Sequence, residues 1–197
     1  MIIPLLANAI ASRQASFDTS HESAFRLFNG FYEGYPDLAL DVYGHTLVIH
    51  NYADDPSQNQ IAIQEAITYL RTSLNWLRAG VLKTRNSVIQ DEKKGILIFG
   101  DKPDTKIKEH GVRYAIDLTT NRDASFYLDT RHLRKWLIDN MQGKSVLNTF
   151  AYTGSLGVAA MAGGASLTVQ TDRNGLFLNL AKDSYSLNGF PIYKKDF

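Results

Sequence analysis

Between Ser145 and Asp172 the chain reads SVLNTFAYTGSLGVAAMAGGASLTVQTD, an order of residue types in which a strand, a tight turn, a helix, a second strand and a terminal carboxylate commonly hold an adenosine. An apolar run from Val146 gives way to Asn148 and Thr149, and a helical pattern starts only after Gly154. The turn between them can therefore present backbone N–H groups at a helix N-terminus. Glycine at 154 lets a ligand approach the backbone with no Cβ in the way. Leu167 to Thr171 is a second β-rich run. Asp172 at its end stands roughly 20 residues past the glycine turn, where such folds place the acid that accepts from ribose hydroxyls. The same carboxylate suits the start of a helix beginning at Arg173 and Asn174. Spacing alone leaves both readings open.

The elements needed to hold these residues are legible as patterns. Phe126, Tyr127 and Leu128 precede a helix with Asp129 or Thr130 as N-cap, a stripe of Leu133, Trp136 and Leu137, and Gly143 at its end. Upstream, Leu5 to Phe17 predicts a short helix. Leu38–Val42 and Thr46–His50 predict a hairpin around Gly44. Pro56 opens an amphipathic helix carrying Ile63, Ile67, Leu70, Leu74 and Leu77 and stopping at Gly80. Val81–Thr84, Ile96–Phe99 and Val112–Asp117 predict further strands, as do Ile192 and Tyr193. The fold class is α/β, in three parts: an amino-terminal arm (1–20), an α+β domain (21–120) and a nucleotide-type unit (121–197).

Composition narrows the function classes. Against 21 Lys+Arg stand 20 Asp+Glu, a net charge of +1, so no strongly basic nucleic-acid footprint exists in the total. The basic stretch from Lys83 to Lys108 is interleaved with acids and reads as a solvated face, while Phe31, Tyr32 and Tyr35 suit packing or base stacking. A non-catalytic RNA-binding module is one rival reading. An oxidoreductase using a nicotinamide dinucleotide is another, but Gly154 and Gly157 supply only part of the G-x-G-x-x-G fingerprint. The chain has no cysteine, hence no disulfide and no thiolate ligand or nucleophile, and its five histidines lack metal-site spacing, so no metal is expected. The opening MIIPLLANAIASRQ is a poor signal peptide and too short to span a bilayer, which predicts a cytoplasmic protein with no membrane partner.

Several segments together resemble the class I S-adenosylmethionine-dependent methyltransferases that modify large-subunit ribosomal RNA. They are FRLFNGFYEGYPDLALDVYG (Phe25 to Gly44), LKTR (Leu82 to Arg85), KEHGVRYAIDL (Lys108 to Leu118), ASFYLDTRHLRKW (Ala124 to Trp136) and VLNTFAYTGSLGVAAMAGGA (Val146 to Ala165). The resemblance implies an α+β domain followed by a partial Rossmann-like domain, S-adenosyl-L-methionine as cofactor and ribosomal RNA as partner. It implies that Asn148, Thr149, Phe150, Ala151, Tyr152, Thr153 and Gly154 line the methionine portion. Asp172, followed by Arg173, would hold the ribose. Asp196, followed by Phe197, would reach the adenine amino group. Tyr127, Asp129 and Arg131 would form the pocket entrance, with Arg131 facing the donor's carboxylate. The Asp-Pro-Pro type motif of the family's fourth strand does not occur, so the catalytic residues are expected beyond residue 197. The chain then reads as an incomplete copy that binds donor weakly and transfers no methyl group, with an open sheet edge that a symmetry partner or an N-terminal element can cover.

Overall fold

Pro4 stands in the first turn of helix α1 (Ile3–Arg13), where the missing N–H has no intrahelical acceptor to lose. The computed structural model describes residues 1–197, except for the side chains of Ser16 and Lys195. Two units emerge, one of Met1–Asp104 with Leu118–Ala124 and one of Thr105–Asp117 with Ser125–Phe197.

In the first unit α1 is followed by β1 (Ala24–Asn29), the short α2 (Gly30–Glu33), β2 (Leu38–Tyr43), β3 (Thr46–Asn51), α3 (Gln60–Ser73), β4 (Ala79–Thr84), α4 (Gln90–Lys94) and β5 (Ile96–Phe99). The strands lie in the order β1-β2-β3-β4-β5, and every pairing is antiparallel except β3 with β4. A parallel pairing needs a crossover, and α3 supplies it. The predicted hairpin forms, with Tyr43 opposite Thr46 across Gly44 at φ 62°. Helix α3 buries Ile63, Ala66, Ile67 and Leu70 in one core with Leu38, Leu40, Leu47 and Ile49, and Ile2, Leu6 and Ala9 join it from the amino terminus. The helix is shorter than its periodicity predicts: the Leu74 N–H closes the last turn on the Leu70 carbonyl at 2.8 Å, and Leu77 lies in the turn beyond. Both leucines keep helical spacing because they still pack on that core.

The second unit contains the hairpin β6 (Lys106–Glu109) and β7 (Val112–Ala115), then α5 (Arg131–Asn140), β8 (Ser145–Thr149), α6 (Ser155–Ala162), β9 (Leu167–Thr171) and α7 (Gly175–Leu187). Strands β8 and β9 pair in parallel from Ser145↔Leu167 to Thr149↔Thr171. Strand, turn, helix and parallel strand make the Rossmann-like unit that the sequence predicts. The hairpin is fastened to α7: Ala115 N–H donates to Ser184 Oγ at 2.9 Å and Arg113 N–H to Asn188 Oδ1 at 3.0 Å. Strand β7 stops short of the predicted Asp117 because that amide donates to Ser125 Oγ at 2.7 Å. The strand predicted at Ile192 and Tyr193 does not form. These residues precede a single 3-10 turn, Lys194–Asp196, whose capping box between Tyr193 and Asp196 takes the backbone bonds a ladder would need. Among the described residues no helix is long and apolar enough to cross a membrane.

Candidate nucleoside-binding site

The turn between β8 and α6 is built from alternating left-handed residues: Phe150 at φ 54°, Tyr152 at 52° and Gly154 at 75°. Holding two aromatic residues there costs about 1 kcal/mol or more each, so the surroundings must over-determine the shape. Ala151 N–H donates to the Thr171 carbonyl, Tyr152 N–H to Asp172 Oδ2 and Gly154 N–H to the Ala151 carbonyl, each at 2.8 Å. The Tyr152 amide is thus committed within the protein. The N–H groups left for a ligand are those of the first turn of α6, which have no intrahelical acceptor.

Asp172 joins the end of β9 to this turn. Its second oxygen accepts from Asn174 N–H at 2.8 Å. Of the two sequence readings, the helix-capping role falls to Asn174, whose side chain accepts from Leu176 N–H at 3.0 Å. A carboxylate has lone pairs for about four donors, so Asp172 retains capacity for two hydroxyls.

Gly154 has a reason beyond ligand approach. The fully buried Gln170 side chain, on β9, lies under the turn. A Cβ on Gly154 would stand 2.6 Å from Gln170 Oε1 and 2.4 Å from the Ala181 Cβ, and one on Gly157 would stand 2.5 Å from Gln170 Oε1. Gln170 also accepts from Asn148 Nδ2 at 3.2 Å. Sequence reasoning passed over it; the signal was a polar residue inside a β-rich run, two positions before Asp172.

The remaining predicted residues divide. The Tyr127 ring lies tilted 5.1 Å from that of Tyr152, which meets Phe177 edge-on at 4.6 Å, a neighbour the sequence did not single out. Thr153 turns inward, its hydroxyl donating to the Ser125 carbonyl at 2.6 Å. Ala151 is buried, Thr149 is exposed and Phe150 is 89% exposed. Asp129 and Arg173 face solvent, and Arg131 lies 3.8 Å from Glu109 Oε1. Phe197 packs edge-on against Tyr185 at 5.1 Å. Asp196 is 5% exposed; Oδ2 accepts from Tyr193 N–H at 3.3 Å, whereas Oδ1 is buried with no partner among the described residues. Near it, burial pushes the Tyr185 phenol up to about 12.

The model of the S-adenosylmethionine-dependent methyltransferase family matches residues 25–197. The chain belongs to that family. The carboxylate oxygens of Asp172 and Asp196 and the N-terminus of α6 are groups of the kinds that fit the family's cofactor, a nucleoside with an amino-acid end. Among relatives of this methyltransferase-family chain, a ribosomal RNA large subunit methyltransferase K/L of Colwellia psychrerythraea is 32% identical over 180 residues, covering 88% of this chain and 25% of that protein. A ribosomal RNA large subunit methyltransferase I of Alteromonas mediterranea is 28% identical over 185 residues, 94% of this chain and 47% of its own. The chain therefore spans half or less of the length of these relatives. A solved structure of a candidate methyltransferase complexed with SAH superposes with a TM-score of 0.85 at 25% identity, over 97% of this chain and 49% of that one.

Proposed function

We propose that residues 121–197 of this methyltransferase-family chain bind S-adenosyl-L-methionine for methyl transfer to ribosomal RNA bases in the cytoplasm. The observation that carries the reading is the buried, unpartnered Oδ1 of Asp196. A buried acceptor without a donor costs roughly 1–3 kcal/mol, and the adenine amino group relieves that cost.

The roles follow from chemistry. Asp172 accepts from the ribose hydroxyls while its backbone bonds keep it at the end of β9. Asn148 to Gly154 line the amino-acid end, and the α6 N-terminus favours its carboxylate. Tyr127, Asp129 and Arg131 form the entrance, Arg131 offering a guanidinium to the same carboxylate; Arg173 and Phe197 flank Asp172 and Asp196. When bound, the cofactor supplies a methyl group on a sulfonium. The ribosomal RNA substrate is supported by the names of the relatives.

Isothermal titration with S-adenosylhomocysteine tests the reading. A saturable heat that competes with S-adenosylmethionine supports it, and no binding at about 1 mM, near the weak end of specific affinity, removes it.

A further inference from the structure

Asn148 is the last residue but one of β8, beside the turn, and its side-chain amide is planar, so fixing one atom fixes the other. Gln170 Oε1 takes Asn148 Nδ2 as donor at 3.2 Å, while Gln170 Nε2 faces the Tyr185 hydroxyl at 3.5 Å. Gln170 is fully buried and wedged beneath Gly154 and Gly157, which holds its amide in place beside Asn148. With Nδ2 drawn inward, Asn148 Oδ1 is left without a partner among the described residues. The polarity of this chain of amides decides which atom the site presents: an acceptor, where the opposite arrangement would present a donor.

An acceptor beside a helix N-terminus makes a pair of opposite preferences. The first-turn amides of α6 favour an anion, and Asn148 Oδ1 favours a cation or N–H donor. That pair matches a zwitterionic amino-acid end, an ammonium beside a carboxylate. Resting on the cofactor reading above, we infer that Gln170 is a positioning residue: it orients the Asn148 amide so that Oδ1 accepts from the α-ammonium of the bound cofactor. Gln170 thereby sets specificity for the amino-acid end, with no contact of its own to the ligand.

The test compares two ligands by titration calorimetry. S-adenosylhomocysteine carries the amino-acid end; 5′-methylthioadenosine shares its adenosine and thioether but lacks that end. Gln170→Met keeps the length of the side chain under the glycines and removes its acceptor. Its expected result is about tenfold weaker binding of S-adenosylhomocysteine, or ~1.4 kcal/mol, with methylthioadenosine unchanged within about twofold. Asn148→Asp supplies an acceptor at either position, so adding Gln170→Met in that background is expected to cause no further loss, a coupling that a double-mutant cycle reads directly. Thermal melts confirm that each variant is folded. Equal losses for both ligands, the same loss in the Asn148→Asp background, or no loss at all would each overturn the inference while leaving the cofactor reading intact. Wild-type protein that binds neither ligand removes that reading and this inference with it.

Discussion

Arg134 and Glu109 form a two-point ion pair with neither side chain exposed: Arg134 Nε donates to Oε2 at 2.6 Å and a terminal nitrogen donates to Oε1 at 3.1 Å. The other terminal nitrogen reaches the Tyr127 carbonyl at 2.8 Å and Thr130 Oγ1 at 2.6 Å, and the guanidinium lies 4.0 Å over the Phe126 ring. One side chain on α5 therefore fastens β6 to the segment that holds Tyr127 in place. Breaking a buried pair from one side leaves an uncompensated charge and costs about 3–5 kcal/mol. Arg134→Lys cannot restore the fork, and Glu109→Gln strands the cation. Both are expected to lower the melting temperature by about 10 °C or more in scanning calorimetry. A fall under about 2 °C in either variant would show that the pair is dispensable.

Two glycines should behave in opposite ways. Gly154 has φ +75° and no room for a Cβ, whereas Gly175 begins α7 with nothing within 4 Å of a Cβ. Gly154→Ala is expected to cost about 1–3 kcal/mol through backbone strain and to abolish S-adenosylhomocysteine binding. Gly175→Ala should be neutral or stabilising by up to about 1 kcal/mol, because it removes entropy from the unfolded chain. Urea denaturation midpoints separate the two; equal behaviour contradicts the described packing of the turn.

The two carboxylates proposed to hold the cofactor differ in what the protein asks of them. Asp172 accepts two backbone N–H bonds, and Asp196 leaves one oxygen buried and unpaired. Asp172→Ala should lose both stability, by about 1–3 kcal/mol, and ligand affinity. Asp196→Ala should weaken S-adenosylhomocysteine binding about tenfold while leaving the melting temperature within about 2 °C, since removing the unsatisfied Oδ1 offsets the loss of the long 3.3 Å bond from Tyr193 N–H. A large stability loss in Asp196→Ala would mean that the carboxylate serves the fold.

Acid should weaken the first unit through Asp41. Burial alone would raise its carboxyl, but His50 and Arg26 hold it below the ordinary 3.8. Arg26 pairs with it at 2.5 and 3.0 Å; His50 Nε2 lies 3.2 Å away, near enough for an ion pair but out of line for a hydrogen bond. A folded-state pKa below the unfolded one means full stabilisation above the unfolded value and progressive loss as pH falls through the folded one. Chemical denaturation from neutral pH downward should therefore show stability falling once pH drops below the ordinary carboxylate range. Asp41→Asn should be less stable at neutral pH and show a flatter acid limb. An unchanged limb would place the acid sensitivity elsewhere.

Local patterns carried the sequence a long way here. The alternation around Gly44, the stripe from Ile63 to Leu70 and the order of strand, glycine turn, helix and acid depend only on near neighbours, so Leu38–Asn51, α3 and the β8–α6–β9 unit were legible. Resemblance then supplied the family, which no periodicity contains. Ile192 and Tyr193 misled because β-favouring residues form a strand only where a ladder partner exists, and here Asp196 takes the Tyr193 amide instead. Leu77 looked helical because its spacing serves the core from a turn as well as from a helix.

What only the tertiary structure decided is where polar atoms end up. Asp172 was visible by its spacing, but that it immobilises Tyr152 while Asn174 caps α7 requires the closed turn. Glu109 and Arg134 meet across the fold, and Gln170 gains its meaning from Gly154, Gly157 and Asn148. Apolar periodicity is a one-dimensional consequence of burial and survives in the sequence. Hydrogen-bond direction depends on which atoms face each other in three dimensions, and no spacing records it.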